Sequence, residues 1–137
     1  MRLEPLYRAR FAYEEHATAR LQGGLEHHFW IAEGRAEGSI TGRIRGANHP
    51  QRRPDGVFCP EFQGVIETDD GAKIAFDYRG YGRARDYGRE VVGTALHSTG
   101  DDRYARLNDA VSVLSGEARE RTIKLEIAEL VWEPPPT

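Results

Sequence analysis

Apolar and polar side chains alternate in short stretches along most of this chain, and no stretch has the 3.6-residue period of a long amphipathic helix. From Leu3 to Tyr13, and again from Thr122 to Trp132, nearly every second residue is apolar. This alternation is typical of strands that bury one face. The sequence therefore predicts an all-β protein.

Eight strands are predicted from this pattern and from the turn residues between them. They span residues 3–13, 26–33, 39–45, 58–68, 73–79, 90–98, 110–118 and 122–132. Residues 17–22 are interpreted as a loop, and residues 101–107 as a short helical turn. Eight antiparallel strands joined in chain order predict an up-and-down barrel with a central cavity, because closure leaves no unpaired sheet edge. A sandwich of two sheets is the competing architecture.

Three glycine-containing segments are predicted to be turns of this barrel. Two of them contain the pairs Asp55-Gly56 and Asp70-Gly71. An Asp-Gly pair favours a hairpin turn, since glycine accepts the positive φ that such a turn requires. The third predicted turn covers residues 78–82. The adjacent carboxylates of Asp69 and Asp70 are interpreted as turn-stabilising rather than catalytic groups.

The length and composition narrow the class of protein. The 137 residues fit one domain, so residues 1–137 are predicted to form a single barrel. The one cysteine, Cys59, excludes an internal disulfide, and a reducing, cytoplasmic location is expected. A net charge of −3 gives no reason to expect a nucleic-acid partner, and no apolar run is long enough to span a membrane. The aromatic content of so short a barrel indicates that its outer face packs against further copies in a homo-oligomer.

The carboxylate of Glu61 stands out because of its place on the predicted strand 58–68. It lies on one face of that strand, while Phe62 and Ile66 lie on the other. The lumen of an eight-stranded barrel can hold one small ligand. If the face of Glu61 lines the lumen, a carboxyl desolvated there would suit acid–base catalysis. If that face is outside, the carboxylate is solvated, and the sequence leaves both alternatives open.

A polar, proline-containing connection is predicted at one mouth of the barrel. It carries Asn48, His49, Arg53 and Asp55 within eight positions. The guanidinium of Arg53 could bind a carboxylate or phosphate group there through two parallel hydrogen bonds. The alternative is a solvated, salt-bridged loop that holds no ligand.

The remaining motifs do not indicate a metal or a cofactor. None of the five histidines has a spacing typical of a metal site, and adjacent His27 and His28 would point to opposite faces of a strand. The Gly-x-Gly at residues 80–82 lacks the rest of a dinucleotide-binding motif. The sequence therefore predicts no metal site and no cofactor.

These patterns together predict a barrel that holds a small, partly apolar metabolite in its lumen. Its apolar contacts would come from Trp30, Phe76, Tyr78 and Tyr104, and its polar contacts from Asn48, His49, Arg53, Asp55 and Glu61. In the enzymatic hypothesis, a cofactor-free isomerase, cyclase or lyase, His49 or Glu61 would move a proton and Arg53 would stabilise developing negative charge. The alternatives are a non-catalytic carrier or sensor of a small ligand and an oligomeric structural protein with a filled core.

Several spaced motifs agree in order with those of a known family. They are Gly34-x-x-x-Gly38, Gly42-x-x-x-Gly46, Arg53-Pro54-Asp55-Gly56-Val57, Glu67-Thr68-Asp69-Asp70-Gly71-Ala72-x-Ile74 and Tyr104-x-x-Leu107-Asn108. In these motifs the chain resembles the bacterial and fungal domain of unknown function 3237. The resemblance implies an oligomeric, calycin-like or allene-oxide-cyclase-like barrel of eight strands with a central cavity. Where that family often has Gly-x-Asp-Trp, this chain has Gly46-Ala47-Asn48-His49, and Glu61 occupies the place of the family's acid on the following strand.

Overall fold

The computed structural model describes residues 1–137 and contains ten strands and two short 3-10 helices. The strands are β1 (Arg2–Arg20), β2 (Glu26–Gly38), β3 (Gly42–Asn48), β4 (Gln51–Arg52), β5 (Phe58–Cys59), β6 (Glu61–Thr68), β7 (Lys73–Arg85), β8 (Gly88–Ser98), β9 (Val111–Arg119) and β10 (Thr122–Val131). The helices span Gln22–Gly24 and Asp102–Asp109. Neither helix has the length and apolar character needed to cross a bilayer.

The eight long strands pair in a closed antiparallel ring. In order around the ring they are β1, β2, β3, β6, β7, β8, β9 and β10, and β10 pairs back with β1. The all-β prediction is thereby confirmed. The two-residue strands β4 and β5, which the sequence did not reveal, lie in the long connection between β3 and β6 and link β2 to β7.

The first hairpin is longer than predicted. Strand β1 continues to Arg20, which pairs with Glu26 of β2, so most of the predicted loop at residues 17–22 is strand. A register shift between Glu15 and Ala17 leaves one extra residue in β1. Such a bulge bends the strand without ending it, and it interrupts the alternation by which a strand is recognised.

Two of the three predicted turns are confirmed, and the third is wrong. Gly56 and Gly71 have φ values of +88° and +93°, as Asp-Gly turns require. Residues 78–82, in contrast, lie within β7, where Gly80 faces Gly93 of β8. A Cβ atom on Gly80 would lie 2.0 Å from the carbonyl oxygen of Val92. Glycine at this position therefore permits a close approach of two strands and does not form a turn.

One half of the lumen is a closed hydrophobic core. It lies toward the β2–β3 and β6–β7 turns and the second 3-10 helix. Its most buried large side chains are Leu6, Ile40, Ile44, Ile66, Ile74, Leu107 and Ile127. Leu107 belongs to that helix and is 1% exposed, so the helix packs onto this end of the barrel. An open lumen is therefore confined to the opposite end, where the β7–β8 and β9–β10 turns lie.

Candidate binding site in the barrel lumen

A cavity of about 280 Å³ occupies the other half of the lumen. Its wall is mainly apolar and includes Phe11, Trp30, Phe58, Phe62, Leu114 and Leu125. These residues come from six different strands, whose inward-facing positions converge there because side chains alternate along each strand. The volume lies just below the roughly 300–1,000 Å³ typical of ligand pockets, which suits a small ligand.

Beneath this cavity, three buried polar side chains form a hydrogen-bonded chain. Tyr78 lines the cavity, and its hydroxyl is hydrogen-bonded to the hydroxyl of Tyr7. The Tyr7 oxygen lies 2.7 Å from Nε2 of His97, whose Nδ1 is buried without a partner. Burial raises the pKa of both phenols and lowers the pKa of His97 to about 4. All three side chains are therefore neutral at pH 7.

The pKa of His97 predicts a loss of stability in acid. Because the unfolded chain takes up the proton near pH 6.5 and the folded protein only near pH 4, the free energy of unfolding should fall as the pH drops between these values. The full effect is about 3 kcal/mol, at 1.4 kcal/mol per pKa unit. Urea denaturation at several pH values should show a steeper slope between pH 6.5 and 4 in the wild type than in His97→Gln. The control His27→Gln, on the outer face of β2, should keep it, and equal slopes in all three proteins would contradict a buried, neutral His97.

At the rim of the barrel, His28 lies between two carboxylates. Its side chain is buried, with Nδ1 2.6 Å from Glu15 and Nε2 3.3 Å from Glu26. Hydrogen bonds from Thr18 and His28 lower the pKa of Glu15. Glu26 in turn lies 3.9 Å from Arg52. These hydrogen bonds and ion pairs link β1, β2 and β4 beside the cavity wall.

Of the nine side chains predicted for the site, three line the cavity, namely Trp30, Asn48 and Tyr78. Asn48 is buried, and its Oδ1 accepts a hydrogen bond of 3.0 Å from the backbone N–H of Glu61. The amide oxygen of Asn48 therefore ties β3 to β6 at the cavity wall.

Glu61 lies outside the barrel, which corrects the interpretation of its face as lumenal. Strand β6 directs Phe62 and Ile66 inward, so Glu61 points to solvent, where its side chain is 49% exposed and 3.4 Å from Arg79. His49 is also on the outer face, with its ring 5.1 Å from that of Phe29. An acid–base pair of Glu61 and His49 would therefore face an outer groove, which both residues line, and not the lumen.

Four further residues lie away from the cavity. Arg53 and Asp55 form an ion pair in the exposed turn before β5, so the charge of Arg53 is already balanced. Phe76 is buried against Phe62 and Tyr78 but does not line the cavity. Tyr104 lies at the opposite end of the barrel, where its hydroxyl donates a hydrogen bond of 2.7 Å to Asp70.

Sequence reasoning missed four residues of this region: Tyr7, His28, His97 and Arg89, the last of which lines the cavity. Tyr7 is 71 residues from Tyr78 and 90 from His97 along the chain, so only strand register brings them together. For His28 a partial indication was present in the sequence, namely the prediction that His27 and His28 face opposite sides of a strand. This prediction is confirmed, because His28 is buried in the barrel and the ring of His27 stacks on that of His49. No group of three or more His, Cys, Asp or Glu side chains is arranged to hold a metal ion.

Comparison with known proteins agrees with this architecture. A β-barrel-like protein from Acinetobacter baumannii AYE is 23% identical, with a TM-score of 0.81 over 93% of this chain and 94% of that one. A conserved protein of unknown function from Rhodopseudomonas palustris is 16% identical, with a TM-score of 0.85 over 95% and 97%. A structure described as an enzyme from Penicillium herquei is 18% identical, with a TM-score of 0.65 over 93% and 94%. At these identities the likeness concerns the fold.

No curated protein matches the sequence. A family profile matches residues 1–130, nearly the whole chain, and its family is described as proteins of unknown function. This match agrees with the spaced glycine and Asp-Gly motifs of the sequence. The chain therefore belongs to the family DUF3237.

Proposed function

We propose that the protein binds a small, largely apolar metabolite in the cavity at the β7–β8 end of the barrel. The observation that carries this proposal is the cavity itself: about 280 Å³, enclosed by aromatic and aliphatic side chains and bordered by few polar groups. Such a combination is the usual form of a small-molecule site. A filled structural barrel would have no need of this cavity, because protein interiors are otherwise close-packed.

A second candidate, a cofactor-free isomerase, cyclase or lyase, is favoured by the chain from His97 through Tyr7 to Tyr78. An orphaned buried N–H is rarer than an unused acceptor, so we place the imidazole proton on Nε2. His97 then donates to Tyr7 and Tyr7 donates to Tyr78, which leaves the Tyr78 hydroxyl free to donate to a ligand. A positioned neutral donor of this kind stabilises an oxyanion that develops on a carbonyl substrate. That one structural relative is described as an enzyme also favours this candidate over a non-catalytic carrier or sensor.

A thermal-shift screen of small aromatic acids, lactones and polyketide-like compounds tests ligand binding. A ligand present at 100 times its Kd adds about 2.7 kcal/mol to the stability. For a domain of this size, we expect a rise in Tm of roughly 5–10 °C. If no compound shifts the Tm and native mass spectrometry of the purified protein shows no bound small molecule, the binding proposal is rejected in favour of a structural barrel.

Any compound that stabilises the protein can then be used to distinguish the enzyme hypothesis from the carrier hypothesis. The compound is incubated with the wild type and with Tyr78→Phe, and chromatography with mass detection follows its conversion. An isomer, a cyclised product or cleavage fragments formed by the wild type but not by Tyr78→Phe would support catalysis. An unchanged compound that binds both proteins would support a carrier or sensor. Assembly into a homo-oligomer and a cytoplasmic location stay predictions.

A further inference from the structure

Arg89 is a cation of the cavity lining that no carboxylate neutralises. It lies on β8 and its guanidinium stacks on the ring of Phe58, 4.0 Å from the ring centroid. Both of its hydrogen bonds leave from Nη1 and reach backbone carbonyls, of Gly56 at 3.1 Å and of Gly82 at 3.3 Å. These contacts fix the plane of the guanidinium and leave Nε and Nη2 without a partner in the protein.

Other arginines around this end of the barrel differ from Arg89 in having carboxylate partners. Those that form ion pairs with nearby carboxylates are Arg52, Arg53, Arg79, Arg83 and Arg85. Glu15 and Glu26, the carboxylates of the rim, are engaged by His28. Arg89 alone among these arginines combines partial burial with the lack of an ion-pair partner.

The burial, the charge and the fixed orientation of the Arg89 guanidinium favour an anionic partner. Burial lowers the pKa of Arg89, and the nearby charge of Arg52 lowers it further, so the cation is held where water and carboxylates compensate it poorly. A negative group from outside would be attracted by both arginines, in surroundings less polar than bulk water. A guanidinium held in one plane also suits a planar, two-oxygen anion through parallel hydrogen bonds.

The rest of the cavity offers little that would hold a strongly polar ligand. The Tyr13 hydroxyl donates to the carbonyl oxygen of Glu120 at 2.6 Å, and Asn48 is engaged by the backbone of β6. The indole N–H of Trp30, buried in the wall, has no hydrogen-bond partner of good geometry. Apart from Arg89 and the exposed Glu120, the unpaired polar groups of the lining are therefore neutral, namely the Trp30 N–H and the Tyr78 hydroxyl.

We propose that the ligand of this cavity is a flat, largely apolar monoanion whose carboxylate pairs with Arg89. Its ring system lies in the apolar part of the lumen beside Trp30 and Leu125. This inference rests on the proposed function, because it assigns the chemical class of the ligand that the cavity is proposed to bind.

Two probes of the same shape test the assignment, 2-naphthoate and its neutral counterpart 2-naphthamide. Isothermal titration calorimetry at pH 7 and low salt should show that the wild type binds 2-naphthoate at least tenfold more tightly than 2-naphthamide. Arg89→Gln should remove this preference by weakening 2-naphthoate binding, and Arg89→Lys should keep part of it. The control Arg83→Gln removes an exposed arginine that is paired with Glu90, and it should behave as the wild type.

The titration results distinguish the anion assignment from the proposal that the cavity binds a small molecule. If the wild type binds both probes equally and Arg89→Gln changes neither affinity, the anion assignment is overturned while cavity binding stands. If neither probe binds the wild type, the assignment is overturned, and the thermal-shift screen decides on the cavity separately. Circular dichroism melts of Arg89→Gln and Arg89→Lys accompany the titrations to compare their stabilities. If the two variants are equally stable, loss of the preference for 2-naphthoate in Arg89→Gln and its partial retention in Arg89→Lys support the pairing of the ligand with Arg89.

Discussion

A tryptophan in place of Val91 is expected to weaken ligand binding at least 100-fold, equivalent to about 2.7 kcal/mol. Val91 lies on β8 and its half-buried side chain lines the cavity. An indole at this position would fill much of a volume of about 280 Å³. Because it would fill an existing cavity, we expect the variant to fold and to be as stable as the wild type or more so. The measurement is the Kd of the best compound from the thermal-shift screen.

The matched control adds the same bulk to the outside of the same strand. Leu96 is on β8 with 49% of its side chain exposed, so Leu96→Trp should bind the ligand with wild-type affinity. Tight binding by a folded Val91→Trp would mean that the ligand sits elsewhere. The outer groove that contains His49 and Glu61 would then be the next candidate.

Replacement of Ile74 with alanine is expected to lower the free energy of unfolding by about 2–5 kcal/mol. The side chain of Ile74 is fully buried in the closed half of the barrel, where its removal would leave a hole among packed neighbours. For a single domain this is a large part of a stability of about 5–15 kcal/mol. Urea denaturation of both proteins at pH 7 measures the difference.

Ile31→Ala provides the comparison for a similar deletion at the surface. Ile31 is 39% exposed on the outer face of β2, so its loss should cost about 1 kcal/mol or less. A cost for Ile74→Ala as small as that for Ile31→Ala would show that the closed half is loosely packed. Such a result would contradict the close packing of Ile74 with its buried neighbours.

The alternation of residues was sufficient to find the eight long strands but not to assign their faces. On β6, Glu61 and Phe62 necessarily point to opposite sides. Val65, on the face of Glu61, is apolar and half-buried, so the apolar content of each face did not separate inside from outside. Pairing across the whole ring decides this, because Ile66 faces Ile74 and Ile44 in neighbouring strands and all three are fully buried.

The structural role of a glycine could be predicted from the sequence where an aspartate precedes it. Gly56 and Gly71 follow aspartate and lie in turns, as predicted. Gly80 follows Arg79 instead of an aspartate and lies in mid-strand, because the backbones of β7 and β8 come too close for a side chain. A single sequence cannot separate these two uses, since both require the absence of a Cβ atom.

The binding site was only partly predictable, because some of its contacts depend on how distant strands pair. Trp30 and Tyr78 were found as aromatic residues on strands, and alternation carries them into the lumen. The partnership of Tyr7 with His97 depends on strand register between distant segments, and so does the placement of Arg89 against Phe58. The predicted cluster around Arg53 is at the correct end of the barrel, but its charges are balanced within the turn and do not reach the cavity.

A crystal structure of the protein with the compound that gives the largest thermal shift tests ligand binding in the lumen most directly. The predicted result is electron density for the compound inside the barrel, against Trp30 and Leu125, with any acidic group within hydrogen-bonding distance of Arg89. Density for the compound only on the outer face, near His49 and Glu61, with the lumen unchanged, would contradict it.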